Sequence, residues 1–465
     1  MAIFSFKPKV YILAAILILS AGLHFYRISY PASPVFDEAH FASYAAYYLN
    51  DRPFWDIHPP LGKILFAGAL SFFPNDKFAG ANFISFEHAK DGGPWVNKLD
   101  RSFGSYPYVA LRIFASLFGV ALALFFYLFL RSVGLGEAGA LFGAFMVTFE
   151  NAFILETRLI LLNGMFLAFG FAALWLFFDR NKSPYLAGAM FGLSLSVKLT
   201  AITFLAPALV AAFLSGKTGD KIFWSRLKVF CTVAVALLFF GYLANFLFFS
   251  PVELLAVFYR DGFMGERFFP PASVTASSAA VQFMAATLVQ WFLSFGNYTL
   301  GGIHYLQSPW YLWPAMQLPM LYYGDESRSL TLYGNPSVWF GATLSVIIAV
   351  AAVRRFIYSL VRKEKNVLPS IVLILLAGYI GSLLPFATIV HRSTFLYHYF
   401  PAYLFGIGLL ALGVEKISAH KFFASSPKRQ IAFFSIVALA VIGGFVTYAR
   451  FTYGLPAFDF NLILN

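Results

Sequence analysis

The stretch FDEAHFASYAAYYLNDRPFWDIHPPLGK, from Phe36 to Lys63, is a polar island between long apolar runs. It packs two adjacent carboxylates, Asp37 and Glu38, together with Asp56, His40 and His58 into a chain that is 60% hydrophobic and only 12% charged. The surroundings fix its setting. With 465 residues, 58 Phe, 25 Tyr and a mean hydropathy of +0.74, the chain is too apolar to be soluble. Several runs exceed the ~20 residues a helix needs to cross a bilayer. None of them alternates with period two, as a membrane β-barrel requires, so the fold class is an all-α polytopic membrane protein. The single cysteine, Cys231, rules out a disulfide framework and a Cys-based metal site.

Apolar periodicity predicts eleven spans, near 10–27, 107–132, 136–154, 158–178, 184–197, 199–215, 228–249, 337–353, 367–390, 397–415 and 430–449. Lys7 and Lys9 before the first could open a signal peptide, but its apolar character continues through His24 and Tyr26 without a small-x-small cleavage site. It is therefore read as an anchor. With the N-terminus cytoplasmic, the inner segments hold 18 basic and five acidic residues, a balance of +13 against −1 for the rest of a chain of net charge +12. That asymmetry follows the positive-inside rule. No basic run interleaved with aromatics stands away from a membrane flank, so nucleic acid is not an expected partner.

This topology leaves two long outer segments, 28–106 and 250–336, within one transmembrane domain covering 1–465. Their amphipathic pieces, His40 to Leu49 and Val281 to Phe295, are expected to lie along the bilayer surface as interfacial helices. Gly139/Gly143 and Gly188/Gly192 suit close helix packing. Asn297-Tyr-Thr299 matches a glycosylation acceptor on the outer side. The inner loops are short connections, which places function on the outer face.

A helix starting near Ser33 or Pro34 puts Asp37, His40 and Tyr44 on one face. Other ionisable groups fall at outer ends of spans: Arg112, Glu150, Glu156, Arg158, Lys198, His391, Arg392 and His398. Each alone fits a snorkelling or belt residue. Together they can hold an anion beside a carboxylate base, and a lipid-linked phosphate is the anion found at that surface. A sugar on polyprenyl phosphate has a good leaving group; it needs positive charge at the departing phosphate and one general base for the attacking hydroxyl. Asp37 is the candidate base, since a single inverting displacement needs one carboxylate where a glycosidase needs two. In DIHPPLGK, Pro59 holds His58 out of helical conformation and Pro60 starts a helix, so the turn could fix His58 and Lys63 over the surface or be purely structural.

FDEAHFASYAAYYLN followed by DIHPPLGK resembles the first outer loop of the protein O-mannosyltransferases, membrane enzymes of the GT-C glycosyltransferase fold that use dolichyl or polyprenyl phosphate mannose. The resemblance continues in order through YPYVALRIFASLFG around Arg112, NAFILETRLILLNGMFL at 151–167, GLSLSVKLTAI around Lys198, QSPWYLWP at 307–314, LYGNPSVWF at 332–340 and HRSTFLYHYFPAYLF at 391–405. It implies that Asp37 is the catalytic base with Glu38 helping to shape the acceptor site. It also implies that Arg112, Lys198 and the His398 region contact the lipid phosphate; Arg158 and Arg392 are grouped with them, and His40, His58, Lys63, Glu150 and Glu156 are expected to shape the site. Two positions depart from the family pattern: Asn163 stands where an Asp is common, and Thr157 where a Ser is. The 250–336 segment is too short for the β-trefoil MIR domain of eukaryotic members, which points to a prokaryotic type in the plasma membrane.

Asp37, Glu38, Glu150 and Glu156 are hard oxygen ligands that could take Mg²⁺ or Mn²⁺, but a monophosphate lipid can be neutralised by Arg and Lys, and no metal or other cofactor is expected. The expected activity is inverting transfer of mannose, or another hexose, from a polyprenyl-phosphate sugar to Ser or Thr hydroxyls of an acceptor polypeptide. A same-fold transferase acting on a lipid or glycan, like the aminoarabinose transferases, is the alternative, and assembly as a dimer stays open. A transporter would instead place ionisable groups mid-bilayer and show related halves.

Overall fold

The computed structural model describes residues 8–84, 86–87, 96–97, 102–217, 219–260, 277–296, 307–325, 327–362 and 368–456. Asn297 to Thr299 lie outside the described residues, as do parts of both long outer segments. Among the described residues, eight helices are long and apolar enough to cross a membrane. Seven of them are expected spans: Tyr108–Ser132, Leu199–Lys217, Ile222–Leu247, Pro336–Val361, Ser370–Thr388, Leu396–Ser418 and Pro427–Tyr453. Another expected span is a pair, Glu137–Thr148 and Asn151–Thr157, bent by 60° at its break. The remaining three are the shorter helices Pro8–Phe25, Asn163–Phe178 and Pro184–Val197. The eighth long helix, Ala279–Gly296, is the one expected to be interfacial; its apolar length alone would also let it span.

The short helices are tolerated because of where they sit. Asn163–Phe178 is apolar all round and buried over 14 of its 16 residues, packed between Tyr108–Ser132 and Pro184–Val197. A helix wrapped by protein does not have to match the thickness of the hydrocarbon. The bend has a local cause: Glu150 is extended and caps the helix that follows, its Oε1 accepting from the Ala152 N–H at 3.3 Å. After Thr157 the chain unwinds over residues 158–162, all buried, before Asn163 restarts a helix. The span expected from 158 therefore begins at 163.

Close packing follows the small residues. A Cβ on Gly188 would come within 3.0 Å of the Phe230 carbonyl, and one on Gly192 within 2.7 Å of Leu237, so the Pro184–Val197 and Ile222–Leu243 helices approach only because these positions lack side chains. In the first long loop, Glu38–Leu49 forms a helix with nine of its 12 residues buried, and Pro60 caps Leu61–Leu70 as the sequence predicts. An antiparallel hairpin, Met320–Gly324 with Ser329–Leu332, packs through its second strand against the Pro427–Tyr453 and Asn151–Thr157 helices.

Candidate active site

The Glu38–Leu49 helix starts four or five residues later than expected. Ser33 precedes a proline, which disfavours helical backbone, and Phe36 takes φ +49, a left-handed conformation uncommon for a bulky residue. The turn leaves Asp37 as the helix N-cap residue with no hydrogen bond from its carboxylate to the helix. Asp37, His40 and Tyr44 then line a cavity of about 780 Å³ at the end of the bundle that carries the first long loop. Across it stand Lys198, Arg392 and His398, brought from two other parts of the chain; Asp56 and His58 form a further wall.

Asp37 has no side-chain hydrogen bond or ion pair among the described residues. Burial lifts its carboxyl above the ordinary value; His40 and Lys198 pull it down, Asp56 pushes it up and Arg392 pulls it down again. Lys198 extends its ammonium between the ring faces of Tyr397, 5.0 Å from the centroid, and Phe166, at 5.8 Å. It donates to Asn163 Oδ1 at 2.8 Å. Arg392 is half-buried and makes a long contact, 3.3 Å, with the Ser393 carbonyl. His398 directs Nδ1 to the Phe395 backbone at 3.1 Å and stacks on Tyr397 at 4.4 Å.

Several predicted residues do something else. Glu38 and Arg112, both fully buried, form a bidentate pair with bonds of 2.8 and 2.7 Å. Glu38 also accepts from the backbone N–H of Val35 at 3.1 Å and of Ile160 at 2.8 Å. Arg112 gives its remaining hydrogens to carbonyls, that of Pro31 at 2.8 Å among them. Neither residue lines the cavity; both are spent on each other and on backbone groups. Arg158 is likewise consumed by the carbonyls of Tyr26, Arg27 and Thr452. Glu150 accepts from Tyr403 at 2.6 Å and from the Asn335 N–H at 2.8 Å, tying the bend to two later helices away from the cavity. Lys63 is 2% exposed and bonded to Asp56 at 2.5 Å and to the His58 carbonyl at 2.7 Å. It braces the DIHPP turn rather than facing the cavity, which is the structural reading of that motif.

Lys63 accounts for the state of its partners. Burial would raise the Asp56 carboxyl, but Lys63 and His58 outweigh it and hold the group below its ordinary value. Burial drives His58 down to about 3 despite Asp56, so its imidazole is neutral. Glu156 sits one step back from the cavity, sharing with Asp37 and Lys198 a recess of only about 10 Å³. The sequence reading gave no role to Tyr397, Asn163 or Tyr322. Tyr397 stands in the quoted HRSTFLYHYF run and Asn163 at a noted departure, so both carried a signal; Tyr322 carried none.

The comparisons with known proteins identify this helical bundle as a GT-C membrane glycosyltransferase fold. The family described as dolichyl-phosphate-mannose-protein mannosyltransferase matches residues 14–251, and the C-terminal four-helix region of protein O-mannosyltransferase matches 282–461. The chain belongs to the protein O-mannosyltransferase family. It is 31% identical over 175 residues to dolichyl-phosphate-mannose–protein mannosyltransferase 1 of Saccharomyces cerevisiae, covering 37% of this chain and 20% of that protein. It is 30% identical over 162 residues to protein O-mannosyl-transferase 2 of Danio rerio, covering 34% of this chain and 19% of that protein. The matched stretch thus spans about a fifth of each relative.

In fold, the chain is similar to the S. cerevisiae protein O-mannosyltransferase Pmt1-Pmt2 complex bound to the sugar donor, with a TM-score of 0.74 at 17% identity, covering 97% of this chain and 91% of that one. It is also similar to the Archaeoglobus fulgidus oligosaccharyltransferase, with a TM-score of 0.55 at 16% identity over 99% of this chain and 57% of that one.

Proposed function

We propose that this chain transfers mannose, with inversion, from a polyprenyl-phosphate mannose to Ser or Thr hydroxyls of an acceptor polypeptide. One observation carries the reading: an Asp37 carboxylate without a hydrogen bond or ion pair among the described residues faces Lys198 and Arg392 across a cavity large enough for a sugar. In the step proposed, the acceptor O–H gives its proton to Asp37 as the oxygen bonds to the sugar's anomeric carbon. The bond from that carbon to the phosphate oxygen breaks, and its electron pair leaves with the polyprenyl phosphate. The extra negative charge on that phosphate develops beside Lys198 and Arg392, whose fixed positive charge stabilises it more in the transition state than in the ground state.

The chain's own residues fit these tasks. Burial keeps Asp37 basic enough to take a proton, while neutral His58 and the Lys63-bound Asp56 offer hydrogen bonds to sugar hydroxyls without adding net charge. In this reading the cations carried by the protein balance the phosphate, with no metal in the step. The charge asymmetry of the loops supports a cytoplasmic N-terminus and an outward-facing cavity, and a 250–336 segment too short for a MIR domain fits a prokaryotic plasma-membrane type.

Purified protein given radiolabelled polyprenyl phosphate mannose and a Ser/Thr-rich peptide is expected to label the peptide, and Asp37→Asn to abolish labelling at unchanged thermal stability. Full activity in that variant would remove Asp37 as the base. Label appearing on lipid and not on peptide would replace the protein acceptor with a lipid or glycan one.

A further inference from the structure

Tyr322, Glu156, Asn163 and Lys198 form a hydrogen-bonded chain from the outer hairpin to the cavity wall. The Tyr322 hydroxyl donates to Glu156 Oε2, Asn163 Nδ2 donates to Glu156 Oε1 at 2.5 Å, and Lys198 Nζ donates to Asn163 Oδ1 at 2.8 Å. The ammonium sets the direction of the amide: it only donates, so Asn163 must turn its oxygen to Lys198, which leaves its NH₂ for an acceptor, the Glu156 carboxyl oxygen. All four residues are buried, yet only Lys198 reaches the large cavity. Glu156 and Asn163 border the small recess, which has room for about one water and none for a substrate group.

A Lys ammonium is a compact charge on a flexible stem, and its location is set by what it donates to. The ring faces of Tyr397 and Phe166 attract it without fixing a direction. Asn163 does fix one, and Asn163 is itself held by Glu156. The bridging amide is neutral, so no carboxylate touches the ammonium and its charge stays available to a ligand. We propose that Glu156, anchored by Tyr322 and acting through Asn163, is a positioning residue that sets where the Lys198 ammonium meets the donor phosphate. This rests on the reading of Lys198 as a phosphate-binding group.

The test uses the full-length protein in lipid micelles with polyprenyl phosphate mannose as donor and a Ser/Thr-rich peptide as acceptor. The donor KM, acceptor KM, kcat and thermal unfolding are measured for each variant. Glu156→Ala is expected to raise the donor KM about 10-fold and leave the acceptor KM unchanged, and the milder Tyr322→Phe to raise the donor KM about 3-fold at unchanged stability. Glu156→Gln keeps an oxygen for Asn163 and a polar group for Tyr322, so it is expected to recover most of the donor affinity. A Gln variant as impaired as the Ala one would make charge, not position, the cause and overturn the proposal. Wild-type donor KM in both Glu156→Ala and Tyr322→Phe would overturn it too, leaving the transfer reaction standing if Lys198→Met still loses donor affinity. Unchanged donor affinity in Lys198→Met would instead overturn the phosphate site and the proposal with it.

Discussion

Asp37 and Glu38 are joined by one peptide bond, yet they belong to two different regions. Glu38 closes a buried knot in which Arg112, two backbone N–H groups and several carbonyls satisfy one another. Asp37 faces an open cavity whose cations, Lys198 and Arg392, are gathered around space rather than around it. The same charge types serve both regions. In the knot every donor is spent on the protein, so the pair builds structure; in the cavity the charges are left partly unspent, so they can act on a ligand. The positive φ of Phe36 lies just before the divergence, where a residue in extended or helical backbone would aim the following side chains differently.

Breaking the knot is expected to give the largest effect. Glu38→Ala strands the buried Arg112 guanidinium, and losing one partner of such a pair costs about 3–5 kcal/mol. The expected outcome is a collapse in the yield of folded protein and a steep fall in its unfolding temperature, read by thermal scanning in detergent. Asp37→Asn sharpens the contrast from the other side: transfer falls by about 10²–10⁴-fold, the range for losing a positioned general base, at wild-type unfolding temperature. A stability loss in this variant comparable to that of Glu38→Ala would erase the distinction between the two regions.

A smaller effect tests whether the cavity charges sense one another. As the proposed base Asp37 has to be deprotonated, and burial raises its pKa, so the rate is expected to fall on the acid side at a pH above the ordinary Asp value. Lys198 pulls that pKa down, so Lys198→Met is expected to move the acid limb of kcat/KM further toward neutral pH. A limb that stays put, or moves to lower pH, would show that the two groups do not share one site. The smallest effect belongs to the rim. Arg52 is exposed, lies over the Tyr47 ring at 4.4 Å and lines the cavity edge. Arg52→Ala is expected to leave the unfolding free energy within about 1 kcal/mol of wild type, the scale of an exposed cation–π contact.

Much of the architecture was legible because apolar runs and their interruptions report directly on helices. All eleven expected spans correspond to helices, and Asp37, Lys198, Arg392 and His398 do converge as the outer span ends suggested. What the chain hid was partnership. Arg112 and Arg158 sit at outer ends just as Lys198 and Arg392 do, and position alone does not say which guanidinium has found carbonyls. Arg112 pairs 74 residues back, Arg158 reaches 294 residues forward, and Glu150 is met by Asn335, 185 residues away. Such pairings depend on how helices stack, which periodicity does not encode. The neutral Asn163 bridge was hidden for the same reason, since its meaning lies in the two side chains it joins, Glu156 and Lys198.

The unwound residues 158–162 lie buried among helices, and lipid could not satisfy their backbone. The Ile160 N–H finds its acceptor in Glu38, a side chain supplied by the first outer loop. The first loop and this later segment are therefore satisfied together: a chain whose loop stands away from the bundle leaves the Ile160 N–H without this acceptor, in surroundings that offer no water to replace it.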